Sequence, residues 1–315
     1  MSEHRVLLIE HQAYLSIDLG RLCIRRPQQE SVFVLPSDIA VLCLHHPAIT
    51  LTVHTLQTLS QEGAIVLVMD DRHQPLAQVY PLLAPMRQTL RLLQQIKLQQ
   101  SPWRGIVWQR LVQARLRGEA AVLRSLGKKG ALFLERLAEK VQPNDSSQCE
   151  SQGARHYWKH LLPEGFQRNK QGAIDPLNVR LNFGYAVLRS LIARSLACAG
   201  LNGCLGVGHC NQQNPFNLAD DFIEPYRFLI EWRVAHQLEV NGQHPFDAHT
   251  RKHLAQFMAD VLPMPRGDYR LPAAIESTVD SWVQTLDAIH AGRHPSTIML
   301  PEYERWPLTD GGSCG

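Results

Sequence analysis

Residues 205–227 (LGVGHCNQQNPFNLADDFIEPYR) bring an imidazole and three carboxylates into one short stretch. Gly206 and Gly208 precede His209 with no Cβ of their own, so the backbone there bends freely and can pass close to a bulky neighbour. Asn217 reads as a helix N-cap. Asp220, Asp221 and Glu224 follow in the first turns, where the helix dipole favours negative charge. Asp220 and Glu224 are spaced i, i+4, and Asp221 and Glu224 i, i+3, so the three acids can share one helix face. Pro225 then interrupts the hydrogen-bond ladder and predicts a kink. Oxygen donors with one imidazole suit Mg²⁺ or Mn²⁺. Cys204, His209 and Cys210 do not make a structural zinc pattern, because no second paired half follows at the right spacing. The plain alternative is a solvated helix start beside a loop histidine with ordinary hydrogen bonds.

Glu150 is the other acid set among groups that could serve a site. Ser147-x-x-Glu150 is a capping-box pattern, which would occupy the carboxylate in closing a helix start. Its company suggests more. Arg155, His156, Lys159 and His160 follow, with Tyr157 and Trp158 between them. Basic groups beside an acidic cation ligand suit a site that holds a phosphate backbone against a metal. Upstream, residues 104–136 carry Arg104, Arg110, Arg115, Arg117, Arg124, Lys128, Lys129 and Arg136 against only Glu119 and Glu135. His249 and His253 stand i, i+4 but lack the Glu of H-E-x-x-H. Gly206-x-Gly208 follows a helix rather than a strand, so neither pattern adds a site.

The elements that must hold these residues change character near residue 82. Residues 5–9, 14–17, 22–25, 31–35, 39–44 and 64–69 are short apolar or alternating runs rich in Val, Ile and Leu, which predict strands. A single helix over 52–61 ends at Gly63. Beyond Pro85 the apolar spacing becomes 3 and 4. It predicts helices from Met86 to Lys97, through Val107–Leu126, over 132–141, 150–162 and 178–199, then over 218–240, 248–262 and 272–291. The expectation is an α+β chain: a β-rich domain at 1–82 and an all-helical catalytic domain at 83–315. Residues 163–176 (PEGFQRNKQGAIDP) read as a loop that is mobile or ordered by a partner. The tail from Pro295 reads as extended.

The 315 residues, 44% hydrophobic and 19% charged, suit a globular protein with ample core. The net charge of +3 permits a polyanionic partner without demanding one. Seven cysteines at irregular spacings predict free thiols in a reducing compartment. No signal-peptide core and no membrane-length apolar run is visible, so a cytoplasmic protein without a membrane partner is expected.

Three motifs taken together resemble CRISPR-associated protein one, nearest its type II branch. They are Glu150-x-x-x-Ala154-Arg155 with Tyr157-Trp158; Asn178-x-x-Leu181-Asn182-Phe183-Gly184-Tyr185-Ala186-x-Leu188; and Leu205-Gly206-Val207 with His209, followed by Asn217-Leu218-Ala219-Asp220-Asp221-x-Ile223-Glu224-Pro225-Tyr226-Arg227. Phe183, Gly208 and Cys210 depart from residues more usual in that branch. The resemblance implies that Glu150, His209 and Glu224 are both the metal ligands and the catalytic set for Mg²⁺ or Mn²⁺, with Asp221 as a secondary ligand and Asp220 in support. It implies a metal-dependent DNA endonuclease and integrase of CRISPR adaptation. This enzyme joins the 3′-hydroxyl ends of captured foreign DNA to the CRISPR repeat by transesterification; a non-catalytic DNA-binding scaffold of the same fold is the rival. It also implies double-stranded DNA as substrate, a homodimer, and a small ferredoxin-like partner dimer bridging two such dimers. Arg155, His156 and Lys159, with the helix around Arg110–Arg124, are the expected phosphate contacts.

Overall fold

The computed structural model describes residues 5–71, 75–79, 88–170, 172–241, 246–295 and 297–307. The change of character near residue 82, Met86 and the end of the C-terminal tail all lie outside the described residues. A strand-rich N-terminal region precedes a helical one, as the pattern of spacing predicts.

The N-terminal region contains two four-stranded sheets. In the first, β1 (Arg5–Ile9), β5 (Ile39–Leu44) and β7 (Ile65–Met69) run parallel, and β8 (Pro75–Val79) pairs antiparallel with β7. In the second, β2 (Tyr14–Asp18), β3 (Arg21–Arg25) and β4 (Val32–Val34) form an antiparallel meander, and β6 (Thr50–Leu51) joins β2 in parallel. Leu19 and Gly20 turn β2 into β3 with φ of 47° and 74°, the left-handed pair that suits the strands' twist. Helix α1 (Val53–Gln61) starts at Thr52, whose side chain accepts from the Thr55 N–H, and stops before Gly63 at φ 75°. β6 and β8 were not anticipated; β6 is too short to show an alternation, and the Pro at the start of β8 reads as a break.

β5 and β7 are apolar on both faces because both faces are covered. Ile39, Leu42 and Val66 face a small core with β2, β3 and α1, whereas Val41, Cys43, Leu67 and Met69 join the helical core. The two regions therefore share one continuous packing.

The helical region runs α2 (Gln88–Gln99), α3 (Trp103–Ser125), α4 (Ala131–Lys140), α5 (Cys149–Leu161), α6 (Pro176–Cys198), α7 (Asn217–Ile223), α8 (Phe228–Asn241), α9 (Ala248–Ala255) and α10 (Leu271–His290). Two differences from expectation are local. The segment over 218–240 is two helices, because Pro225 stops α7 and the chain turns through Glu224–Arg227 before α8. The helix expected over 248–262 ends as α9 at Ala255, and β9 (Val261–Met264) and β10 (Gly267–Arg270) form an antiparallel hairpin before α10. Pro263 and Pro265 forbid helical continuation there, so the region is helical apart from this hairpin. α3 and α6, 23 residues each, run through the core and are buried around most of their circumference.

Candidate functional site

Asp221 organises the histidine loop. It is fully buried on α7 and accepts hydrogen bonds from the backbone N–H of Val207, Gly208 (3.0 Å) and His209 (2.9 Å). His209 Nδ1 lies 2.9 Å from the same carboxylate. That contact is the main cause of a raised His209 pKa, outweighing the opposing effect of burial. With Nδ1 donating to Asp221, Nε2 is left as the free lone pair. Asp221 is itself raised by burial, against the pull of its donors. Asp221 therefore positions the imidazole, with its oxygens accepting from the loop.

The glycines before His209 are required by space. A Cβ at Gly208 would overlap the Trp108 indole, and one at Gly206 would overlap the His209 carbonyl. Trp108 also meets the His209 ring edge-on, with centroids 5.6 Å apart. From α2 and α3, Gln99 donates to the Gly206 carbonyl (2.6 Å) and Arg104 to the Val207 carbonyl (2.7 Å). Asn217 does not cap α7 with its side chain; it lies inside the first turn, where its amide donates to the Cys204 and Asn211 carbonyls. Asp220 accepts from Asn214 (2.6 Å) and faces Arg189.

Glu150 is not occupied in a capping box. Asp145 caps α5 instead, accepting from the N–H of Cys149 (2.8 Å) and Glu150 (3.0 Å). The Glu150 carboxylate, 29% exposed, accepts from Arg115 Nη1, and the same nitrogen lies 3.1 Å from Glu224 Oε2. α5 can approach this closely because Gly153 leaves room for Leu116 of α3, where any Cβ would collide. Tertiary packing thus brings Glu150 and Glu224, far apart in sequence, onto one guanidinium.

Glu224 is buried in an ionic network. Arg227 Nη1 donates to both its oxygens (3.1 Å each), while Arg227 Nε donates to Glu231 (2.7 Å), which also accepts from the Tyr185 hydroxyl (2.6 Å). Burial acts to raise the Glu224 pKa, but Arg115 and Arg227 outweigh it and the net shift is downward. Arg115 Nε donates to Glu119 (2.9 Å), whose carboxyl burial pushes up to about 7. Arg115 and Arg227 thus tie the carboxyl groups of Glu119, Glu150, Glu224 and Glu231 into one buried network.

Arg168, Lys170, Arg189, His209, Glu224 and Arg227 line one cleft of about 330 Å³. Arg168 and Lys170 come from the loop over 163–176, expected to be mobile or partner-ordered. Asn178 pins it: its amide donates to the Gln167 carbonyl (2.8 Å) and accepts from Arg168 Nη1 (2.8 Å) and the Asn169 N–H (2.8 Å). Arg155 and Lys159 are exposed on α5 and are not among the residues lining the cleft. The His156 ring is used internally, stacked on Phe133 at 4.2 Å with Nε2 3.2 Å from the Gly130 carbonyl. On α3, Arg115 is buried and Arg124 pairs with Glu135, whereas Arg117 is exposed and Arg110 is half-buried.

The donor set fits a hard divalent cation: two carboxylates and an imidazole whose Nδ1 is anchored on a buried acid. Among the described residues no three His, Cys, Asp or Glu side chains already form a metal cage. Arg115 faces both Glu150 and Glu224, and Arg227 holds both Glu224 oxygens.

Residues 6–259 match the family model for CRISPR associated protein Cas1. The chain belongs to the Cas1 family. The CRISPR-associated endonuclease Cas1 of Neisseria meningitidis serogroup C is 32% identical over 304 residues, covering 95% of this chain and 98% of that one. A casposase bound to integration product has the same fold, with a TM-score of 0.75 at 17% identity over 90% of each chain. A chain of a Cas6-RT-Cas1–Cas2 complex matches with a TM-score of 0.71 at 18% identity, over 93% of this chain and 36% of that one. The span of the Cas1 match contains Arg115, Glu150, His209 and Glu224.

Arg115, Asp145, Trp108 and Arg168 were not legible as site residues. One signal existed: Arg115 and Glu119 continue the apolar stripe of Leu111 and Leu123 at spacing four. A charged i, i+4 pair in a core stripe implies buried partners.

Proposed function

We propose that this Cas1-family chain is a divalent-metal-dependent DNA integrase and endonuclease of CRISPR adaptation. The observation that carries the reading is the meeting of Glu150 and Glu224 at a single guanidinium nitrogen, with His209 beside Glu224 on the same cleft. Glu150, His209 and Glu224 would hold Mg²⁺ or Mn²⁺, which supplies Lewis-acid polarisation of a phosphodiester.

The chain's own residues define the rest of the chemistry. Asp221 fixes the His209 tautomer, and Arg227 holds Glu224 by both oxygens. Lys170 and Arg189 offer positive charge to DNA entering the cleft, while Arg155 and Lys159 extend that charge along α5. In integration, the 3′-hydroxyl of a captured fragment attacks a phosphodiester of the CRISPR repeat. A new P–O bond forms as the bond to the repeat's own 3′ oxygen breaks, so no bond energy is lost to water. With water as nucleophile the same arrangement cleaves DNA.

The partners proposed are double-stranded DNA, a second copy of the chain and a small Cas2-type dimer. The similar complex that contains Cas1 and Cas2, and the endonuclease designation of the Neisseria relative, support that assembly and activity. The test is joining of a short duplex to a repeat-containing plasmid in Mn²⁺, with the partner protein present. Glu150→Gln, His209→Ala and Glu224→Gln are each expected to abolish joining while the protein remains folded. Undiminished joining by any of the three removes that residue from the ligand set.

A further inference from the structure

We infer that Arg115 competes with the metal: its guanidinium contacts Glu150 and Glu224 and must withdraw to Glu119 when a divalent cation binds. This inference rests on the metal site proposed above and adds how that site is gated. Three observations converge on it.

Arg115 Nη1 is the atom common to both carboxylates, lying 3.1 Å from Glu224 Oε2 and hydrogen-bonded to Glu150 Oε1. A cation held by Glu150 and Glu224 would compete with Arg115 for the lone pairs of those carboxylates. Arg115 is also tethered independently of the site, since its Nε donates to Glu119 Oε1 one turn along α3. Finally, Glu119 Oε2 is fully buried and has no hydrogen-bond partner. A stranded buried carboxylate oxygen is costly, and one beside a guanidinium already bound through its neighbour is a vacant half of a two-toothed Arg–carboxylate fork. Rotation about the last bonds of the Arg115 side chain would exchange the contacts with Glu150 and Glu224 for that second tooth. The guanidinium would then remain paired in both states, and α3 would not need to move.

The consequence is a competition that can be measured by Mn²⁺ binding alone, by titration calorimetry on the full chain. Two variants should move in opposite directions. Arg115→Met combined with Glu119→Gln removes the competitor without leaving a buried charge unpaired, and should tighten Mn²⁺ about tenfold, or about 1.4 kcal/mol. Glu119→Gln alone keeps the competitor but spoils its place of withdrawal, and should weaken Mn²⁺ several-fold. The rise in melting temperature on saturation with Mn²⁺ should follow the same order.

If Arg115 instead organises the ligands, the double variant binds Mn²⁺ more weakly than wild type, and the inference is overturned. It is also overturned if both variants bind as wild type does. The Glu119→Gln arm decides by itself should the double variant not fold. A failure of the metal site is distinguishable: wild type would then bind no Mn²⁺, or would bind it equally well as Glu150→Gln and Glu224→Gln. In that case the proposed ligand set fails and this inference with it.

Discussion

Asp221→Ala is the perturbation that most directly probes how the histidine loop is held. Asp221 is fully buried and is the acceptor for three consecutive backbone N–H groups as well as His209 Nδ1. Truncation strands three donors, at about 1–3 kcal/mol each if they stay dry. Some of that loss is offset, because a buried carboxylate with its own desolvation cost disappears and the partly exposed loop can turn towards water. A net destabilisation of about 3–5 kcal/mol follows, which for a chain of this length lowers the melting temperature by roughly 4–8 °C. Asp221→Asn keeps the volume and one acceptor oxygen but turns an amide N–H towards donors, so it should fall between wild type and Ala. The functional effect should exceed what unfolding explains. An imidazole without its Nδ1 anchor loses both orientation and tautomer, worth 10–100-fold in metal affinity or activity by the usual cost of such partners, roughly. Melting curves give the first quantity, and Mn²⁺-dependent joining well below the melting temperature gives the second. An Asp221→Ala protein with wild-type melting and wild-type joining would refute the reasoning.

Gly208→Ala forces a methyl group into the Trp108 indole and should cost about 1–3 kcal/mol in melting experiments, together with most joining activity; wild-type activity would mean the loop has slack. Asp145→Ala should destabilise the chain by about 1 kcal/mol, whereas Ser147→Ala should do almost nothing, because Asp145 caps α5; equal effects in denaturant titrations would return the cap to Ser147. Glu119 gives a pH signature. Its carboxyl is pushed up to about 7, above its unfolded value, so the stabilisation from holding a proton is complete below the ordinary carboxylate range and is lost as pH rises through about 7. Glu119→Gln mimics the protonated form, so its melting temperature relative to wild type should rise from about pH 5 to about pH 8; a flat or falling difference contradicts the assignment.

Much of this protein was legible from spacing alone. The strands over 5–9 and 39–44, the long helices that became α3 and α6, and the break at Pro225 all follow from local pattern and backbone chemistry. Those properties belong to a few neighbouring residues, so the order of residues suffices to set them. The motif around His209 and Glu224 was visible for the same reason, both lying in one continuous segment. What it lacked was direction. Asp220, Asp221 and Glu224 are equivalent acids by spacing, yet one faces Arg189, one is consumed by the histidine loop and one lies between two arginines.

Which acid does what depends on groups brought from elsewhere, and those come through packing. Glu150 was poised between cap and site until Asp145 took the cap, and Gly153 let α5 settle against Leu116 close enough for Arg115 to reach it. The opposite roles of α3, basic by composition but carrying a buried cation inside, follow from its central position in the core. Sequence thus determined most of the elements and the types of the candidate site residues, because both are local. Tertiary structure alone decided that two distant carboxylates share one guanidinium, because a buried charge finds its partners only when separate helices close around it.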